Sequence, residues 1–355
     1  MGGLSSVVEQ LSKGLVRLGH HVEVVTLDPT GSLSRESASD GVKLRRFACL
    51  APSDAYFLPS PAAIEYISSR DVDVIHAHNI GSLLVPACFF ANRISPRRKA
   101  FVVSPHHHAA GSLWHTRAFW RPYKPLAREV IRSAGAVHCV SNFEASLVSR
   151  DFGVKAIVVP NGVSEDVSGF SWHPPANQYV LTYCGRVERY KRVDMILEAA
   201  SNLRNRGKAV GVLVVGDGPD VSRLSKLARS LDVKMEQKPF LPRDEYLETV
   251  AGSTCLVNVS KYEAFSIVTA EALAMGVPAV VSRGWGQTFA PSEKLLLVDG
   301  DSASSIASKV EETSGMGSRR SEFLTWRAVA RELVDKAYVP ALRSMGTTIT
   351  PRVNH

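Results

Sequence analysis

One pattern governs what this chain can become. Short runs of β-branched and aliphatic residues alternate with stretches of helical apolar period over most of its length. The first half carries HVEVVTLD, DVDVIHAHN and AFVVSPHHH as strand-like runs, and the second carries YVLTYCG, GVLVVGDGPD and CLVNVS. Helical stretches lie between them, such as the one marked by Val7, Val8, Leu11, Leu15 and Leu18, or VDMILEAASNLRNRG in the second half. Strands joined by helices over short loops pair in parallel, and a parallel sheet needs both faces covered. At 355 residues the chain is long enough for two such domains. The alternation breaks at residues 163–178, VSEDVSGFSWHPPANQ, which are rich in Ser, Pro and polar residues. A linker is expected there, between an N-terminal domain at 1–162 and a C-terminal domain at 179–320. A last amphipathic stretch, 322–342 within 321–345, is expected as a helix packing back toward the N-terminal domain.

Composition removes several functional classes. No run of eighteen apolar residues occurs, so no transmembrane helix is expected. The opening MGGLSSVVEQ lacks the basic-then-apolar order of a secretory signal. Cys49, Cys88, Cys139, Cys184 and Cys255 are scattered and form no CxxC pair. They read as buried thiols in a reducing, cytoplasmic setting, not as a zinc site or a disulfide frame. The net charge of +8 is unevenly placed: residues 93–132 hold nine Lys or Arg against one acid, Glu129. Trp114, Phe119, Trp120 and Tyr123 are interleaved there. Such a stretch suits an anionic membrane surface or a phosphorylated substrate, or is simply a solvated helix face. No nucleic-acid motif accompanies it, so no nucleic-acid partner is expected.

The chemistry concentrates in residues 261–282, KYEAFSIVTAEALAMGVPAVVS. A polar loop leads into a short helix carrying Glu271, Gly276 ends the helix, Pro278 blocks its restart, and AVV is a buried strand. Glu263 on the loop and Glu271 on the helix stand eight residues apart. The first helix amides, near Phe265, Ser266 and Ile267, and the positive end of the helix dipole suit a phosphate or sugar oxygen. Carboxylates beside them can accept from sugar hydroxyls, although two Glu at this spacing are also common on solvated helix surfaces. Open parallel sheets bind ligands at the C-terminal ends of their strands. Gly185 and Arg186, leading to Lys191, follow one such strand, and Gly216 and Gly218 end the next. Arg186 and Lys191 have the charge to pair with a diphosphate, yet a lone cation on a loop is more often solvated. The GxGP of 216–219 also marks an ordinary tight turn. His106, His107 and His108 end a strand in the first half, where alternation lets at most two converge. No carboxylate is near them in sequence, and Asp71 and Asp73 lie before their strand, so no metal is expected.

In order and spacing these segments resemble the retaining GT-B glycosyltransferases of glycosyltransferase family 4, the glycosyl transferases group 1. SKYEAFSIVTAEALAMGVPAVVS follows the family's E-x7-E block nearly throughout, and GRVERYKRVDMILEA resembles its diphosphate-binding segment. VVGDGPD, VPNGV, CVSNFEASL, DVIHAH and the opening GG before a helix occur in the family's order over roughly the first 300 residues. The resemblance implies an α/β GT-B architecture: two Rossmann-like domains with parallel sheets facing a cleft. It implies that Glu271 holds the nucleotide's ribose and Glu263 faces the donor sugar. The amides of Phe265, Ser266 and Ile267 would meet sugar and phosphate, and Gly2, Gly3, Gly185, Gly216 and Gly218 would line the donor site. Arg186 and Lys191 would carry the diphosphate in place of a metal. His106 would contact the donor sugar, with His107 and His108 left open as its equivalent.

The expected reaction is transfer of a hexose, with retention, from a UDP- or GDP-linked sugar to a hydroxyl of a glycan, lipid or small molecule. No cofactor is needed. The protein is expected to be cytoplasmic, with a peripheral place on the inner face of the membrane and a part in cell-envelope glycan synthesis. Two alternatives stay open: a nucleotide-sugar 2-epimerase of the same plan, and an inactive sugar-nucleotide binder. Three departures from the family stand out: Ser266 where Gly is usual, SRGWGQTFAPSEK in place of a GG-x-x-E segment, and no strand before Gly2. That strand would lie between HVEVVTLD and DVIHAH. Either the natural protein supplies it from upstream of Met1, or the first domain is loose.

Overall fold

The structure, a computed structural model, describes residues 3–50, 58–107, 114–299 and 302–346, the side chains of 114–119 excepted. The chain divides into two compact units: Leu4–Asn161 joined by the segment from Trp326 onward, and Gly162–Thr325.

The N-terminal unit is built from α1 (Gly3–Arg17), β1 (Glu23–Asp28), β2 (Glu36–Ser39), β3 (Val42–Ala48), α2 (Pro61–Ser69), β4 (Val74–His78), α3 (Leu84–Ile94), β5 (Ala100–Ser104), α4 (Trp114–Arg132), β6 (Ala136–Cys139), α5 (Asn142–Phe152) and β7 (Ile157–Val158). Its strands fall into two sheets, β1-β3-β2 and β4-β5-β6-β7. β1 and β3 are parallel, as are all pairs in the second sheet, whereas β2 runs antiparallel to β3. Among the described residues no ladder joins β1 to β4, although Val25 and Ile75 pack on one shared core. β5 and β6 are buried along their whole length; β1 and β4 are mostly half-exposed.

The C-terminal unit follows with β8 (Tyr179–Cys184), α6 (Val193–Asn205), β9 (Val210–Val215), α7 (Val221–Ser230), β10 (Lys234–Lys238), α8 (Arg243–Ala251), β11 (Cys255–Asn258), α9 (Ile267–Ala274), β12 (Ala279–Ser282), the single turn α10 (Arg283–Gly286), β13 (Leu295–Val298) and α11 (Ala303–Glu311). Its six strands form one parallel sheet in the order β10-β9-β8-β11-β12-β13. The core gathers Leu181, Tyr183, Ile196, Leu197, Val212 and Val257 between sheet and helices. Both units are α/β with mainly parallel pairing, the GT-B plan that the family resemblance implies.

Three strands carry no clear strand pattern in the sequence. β10 is KMEQK, a mostly polar edge strand; β2 is ESAS, exposed throughout; and β13 is LLLV, a run too short to stand out. Residues 163–178, read as a linker, run along the C-terminal unit. Trp172 donates its backbone N–H to Met275 O at 3.1 Å and its Nε1–H to Ser253 O at 2.9 Å. Their polar composition reflects a solvated strap tied down at a few points.

The terminal helix starts at Trp326, four residues later than its apolar period suggests. It runs as α12 (Trp326–Leu333), a π turn over Val334–Tyr338 and α13 (Val339–Ser344). The π turn ends two residues before Pro340, whose ring lacks an N–H and crowds the carbonyl four residues back, so the ladder opens there. The π turn and α13 lie on β5 and β6, within the N-terminal unit.

Candidate active site

The strand order of the C-terminal unit reverses direction between β8 and β11, and ligands of such sheets bind at that switch point. The loops leaving these two strands carry Gly185–Arg192 and the segment ahead of α9. Lys191 and Glu263 meet across the switch point: Nζ lies 2.5 Å from Oε1, with both side chains largely buried. Burial works against the ammonium, but the Glu263 carboxylate and the Tyr190 hydroxyl outweigh it and raise the Lys191 pKa. The Lys261 N–H donates to Tyr190 O at 2.8 Å, which ties the two loops together at the same place. Burial raises the Tyr190 phenol; Lys191, Glu188, Glu263 and Arg186 all bear on it electrostatically. Arg186 stands at the outer side of this group, 68% exposed and 2.7 Å from Glu188.

Glu271, on the inner face of α9, is 4% exposed. Arg243 Nη1 lies 2.7 Å from its Oε1, and the Tyr246 hydroxyl donates to its Oε2 at 2.7 Å. Both family-like carboxylates thus sit beside a cation. Ser266 caps α9, its Oγ accepting from Thr269 N, and receives Asn258 Nδ2–H at 3.0 Å. The hydroxyl is therefore turned into the protein, with the residue only 5% exposed. Phe265 packs against Phe289, and Ile267 opens the helix.

The glycines have a structural reason of their own. Gly185 N–H donates to Val215 O at 2.9 Å. Gly216 has φ 142°, and a Cβ there would lie 1.9 Å from Gly185 O; one on Gly218 would lie 2.3 Å from Val187 O. The exits of β8 and β9 pass so closely that neither position admits a side chain. Gly3 has open space around it, while Gly2 and His108 lie outside the described residues.

The histidines belong to the N-terminal unit. His106, at the exit of β5, is half-exposed with φ 48°, and its Nε2 lies 3.0 Å from His78 Nδ1. His107 turns inward: Nε2 is 2.8 Å from Asp151 Oδ2, and the ring stacks on Trp120. Glu144, fully buried on α5, accepts from the N–H groups of His107 and Val140, each at 2.8 Å, and so holds the β5 exit in shape. Burial pushes its carboxyl up to about 7 against these backbone donors.

A second buried chain has fixed proton positions. His138 Nε2 is 2.9 Å from Val159 O, which only accepts, so that nitrogen carries hydrogen. The Ser104 hydroxyl then donates to His138 Nδ1 at 2.7 Å and accepts from His76 Nε2 at 2.7 Å. The Tyr338 hydroxyl donates to His76 Nδ1 at 2.8 Å, which fastens the π turn to β4. Burial keeps these rings neutral: the His138 pKa falls to about 4, and those of His76 and His78 drop well below 6.5.

Residues 1–167 match the family described as Glycosyltransferase Family 4, and residues 166–323 match Glycosyl transferases group 1. The chain belongs to glycosyltransferase family 4. This family 4 chain is 26% identical over 347 residues to a GDP-mannose-dependent alpha-(1-6)-phosphatidylinositol monomannoside mannosyltransferase of Mycolicibacterium smegmatis, covering 87% of the chain and 85% of the relative. Its fold is similar to that of sucrose-phosphate synthase from Thermosynechococcus elongatus, with a TM-score of 0.72 and 18% identity over 97% of this chain and 92% of that one. It is also similar to Anabaena HepE, solved with UDP-glucose, with a TM-score of 0.64 and 15% identity over 92% and 98% of the two chains.

Sequence reasoning on the family 4 motifs finds Lys191, Glu263 and Glu271 but not what holds them. Arg243 and Tyr246 open α8 with no motif, Asn258 is a single polar residue among apolar neighbours, and Glu144 is one of several polar residues in CVSNFEASL. The one available signal is an N-cap pattern: Ser141 accepts from Glu144 N, three residues on.

Proposed function

We propose that this protein transfers a hexose from a nucleoside-diphosphate sugar to an acceptor hydroxyl, with retention at the anomeric carbon and without a metal. One observation carries the reading: Lys191 and Glu263 meet across the β8/β11 switch point of a continuous parallel sheet. In that reading Glu271 takes the ribose and Glu263 the donor sugar. The amides around Phe265, Ser266 and Ile267 meet sugar and phosphate. Lys191 shifts from Glu263 toward the diphosphate, and the exposed Arg186 joins it. The developing charge on the leaving group is stabilised by these cations, an effect worth about 3–4 kcal/mol per well-placed donor. His106, held by the Glu144-supported loop and His78, is assigned to the donor sugar. UDP- and GDP-linked hexoses are the candidate donors.

The same proposal gives the basic residues 93–132 an anionic membrane surface as partner and a lipid-linked or glycan acceptor. It places the work in the cytoplasm, in cell-envelope glycan synthesis. No helix among the described residues is long and apolar enough to cross a membrane. Calorimetric titration with UDP, GDP and their hexose conjugates tests the donor. Binding of one nucleoside diphosphate, and EDTA-resistant turnover of its sugar, is the expected result. Absence of binding by every one of them overturns the reading. Salt-sensitive co-sedimentation with vesicles containing anionic lipid tests the membrane contact.

A further inference from the structure

Glu271 sits in the most apolar helix of its surroundings and is nearly inaccessible. Burial raises its carboxyl, and Arg243 and Tyr246 act in the opposite sense. These two residues stand three apart on one face of α8, so a single turn of helix delivers both. Each grips a different carboxylate oxygen, Arg243 on Oε1 and Tyr246 on Oε2. The guanidinium is itself fixed. Its Nε and Nη2 fork onto Asp166 at 2.8 and 2.9 Å, and its Cζ lies 5.5 Å from the Tyr246 ring centroid. One arginine thus faces two carboxylates, which leaves the cluster with net negative charge and Glu271 as an acceptor.

An ionised carboxylate offers about four lone-pair sites, two on each oxygen. One site on each oxygen is taken, and rotation of the carboxylate would break both bonds at once. What remains is one acceptor site per oxygen, side by side and fixed in orientation. Two adjacent hydroxyls fill both sites, whereas a single hydroxyl leaves one empty.

We propose that Arg243 and Tyr246 are positioning residues that make Glu271 a reader of the ribose 2′,3′-diol, and so set a preference for ribonucleoside over 2′-deoxyribonucleoside diphosphates. The proposal rests on the reading of Glu271 as the ribose carboxylate. Its test is titration of the full chain with UDP, GDP, 2′-deoxy-UDP and 2′-deoxy-GDP. The unmodified protein binds the preferred ribonucleotide at least about tenfold more tightly than its deoxy form, the contribution of one hydrogen bond to a charged group. Arg243→Met reduces that ratio to below about threefold by weakening the ribonucleotide. Tyr246→Phe lowers it by less, and Arg243→Lys restores part of it. A merely structural role weakens both forms equally and leaves the ratio unchanged, which overturns the proposal. Glu271→Gln separates the two levels. If it binds every ribonucleotide as the unmodified protein does, the ribose reading itself falls. If it loses discrimination while Arg243→Met and Tyr246→Phe retain it, only the present inference falls. Where circular dichroism shows that Arg243→Met does not fold, Tyr246→Phe, which removes one oxygen and keeps the ring, carries the decision.

Discussion

The two units reach the same class of fold by different bonding. In the C-terminal unit six parallel strands share one unbroken ladder, and β11 and β12 are buried almost entirely. In the N-terminal unit, among the described residues, the ladder stops between β1 and β4, whose side chains stay half-exposed. Polar side chains hold those two strands instead. Glu23 of β1 takes the Tyr66 hydroxyl and Arg70, and Arg45 and Arg70 lie over the Tyr66 ring at 4.5 and 5.1 Å. On β4, His76 takes the Tyr338 hydroxyl. A backbone ladder is indifferent to pH and to most substitutions; a set of histidines, carboxylates and arginines is sensitive to both. The unit with the continuous sheet is also the one that holds Lys191, Glu263 and Glu271 in place by ion pairs and hydrogen bonds.

The sharpest break between the units is in nucleotide binding. The double change Arg186→Ala with Lys191→Ala should weaken the preferred nucleoside diphosphate about a thousandfold, two charged contacts being removed. His106→Ala, in the other unit, should leave that affinity within about threefold while slowing transfer. Calorimetry on both variants checks this. Equal losses would erase that distinction between the two units.

Acid is the next test. His76, His78 and His138 titrate lower in the folded chain than the 6.5 of an ordinary imidazole. Below that pH the unfolded chain binds more protons, so the stability these groups give is complete above about 6.5 and lost as pH falls toward 4. His138 alone contributes about 3 kcal/mol of that loss. Glu144 has the opposite sign, since its raised pKa removes stability as pH climbs from 4.5 through about 7. Thermal melts between pH 4 and 7, followed by residue-resolved exchange, should show the N-terminal unit loosening first. Simultaneous loss in both units would refute the assignment.

Hydrogen exchange at neutral pH gives a smaller contrast. Amides of β1 and β4 should exchange about ten- to a hundredfold faster than those of β11 and β12, because among the described residues each has a ladder on one side only. Matching protection would mean that the gap between β1 and β4 is closed by other means. The smallest effect is expected from Tyr66→Phe, which removes one hydroxyl from Glu23 and keeps the ring beside both arginines. It should cost about 1 kcal/mol by chemical denaturation.

Much of the C-terminal unit is legible in the sequence because its determinants are local. Alternating apolar runs announce β8, β9, β11 and β12, and Gly276 with Pro278 marks the end of α9. Glu263 and Glu271 stand at a fixed spacing, and the short loop and helix that carry them place each beside a cation. The family and the two-unit α/β plan follow from such short-range patterns. The sequence also places GxGP at 216–219, but not its reason, which is the 1.9 Å approach of Gly185 O to any Cβ at Gly216.

What only the tertiary structure decided are pairings between residues far apart in the chain. Arg243 reaches both Asp166 and Glu271, His76 reaches Tyr338, and Glu144 reaches the His107 amide. A buried carboxylate or imidazole must find a partner wherever the fold brings one, so its partner leaves no periodicity or spacing to read. The break between β1 and β4 is of the same kind. Each strand has the composition of a central strand, and whether a neighbour lies beside it is a property of the sheet, not of the strand.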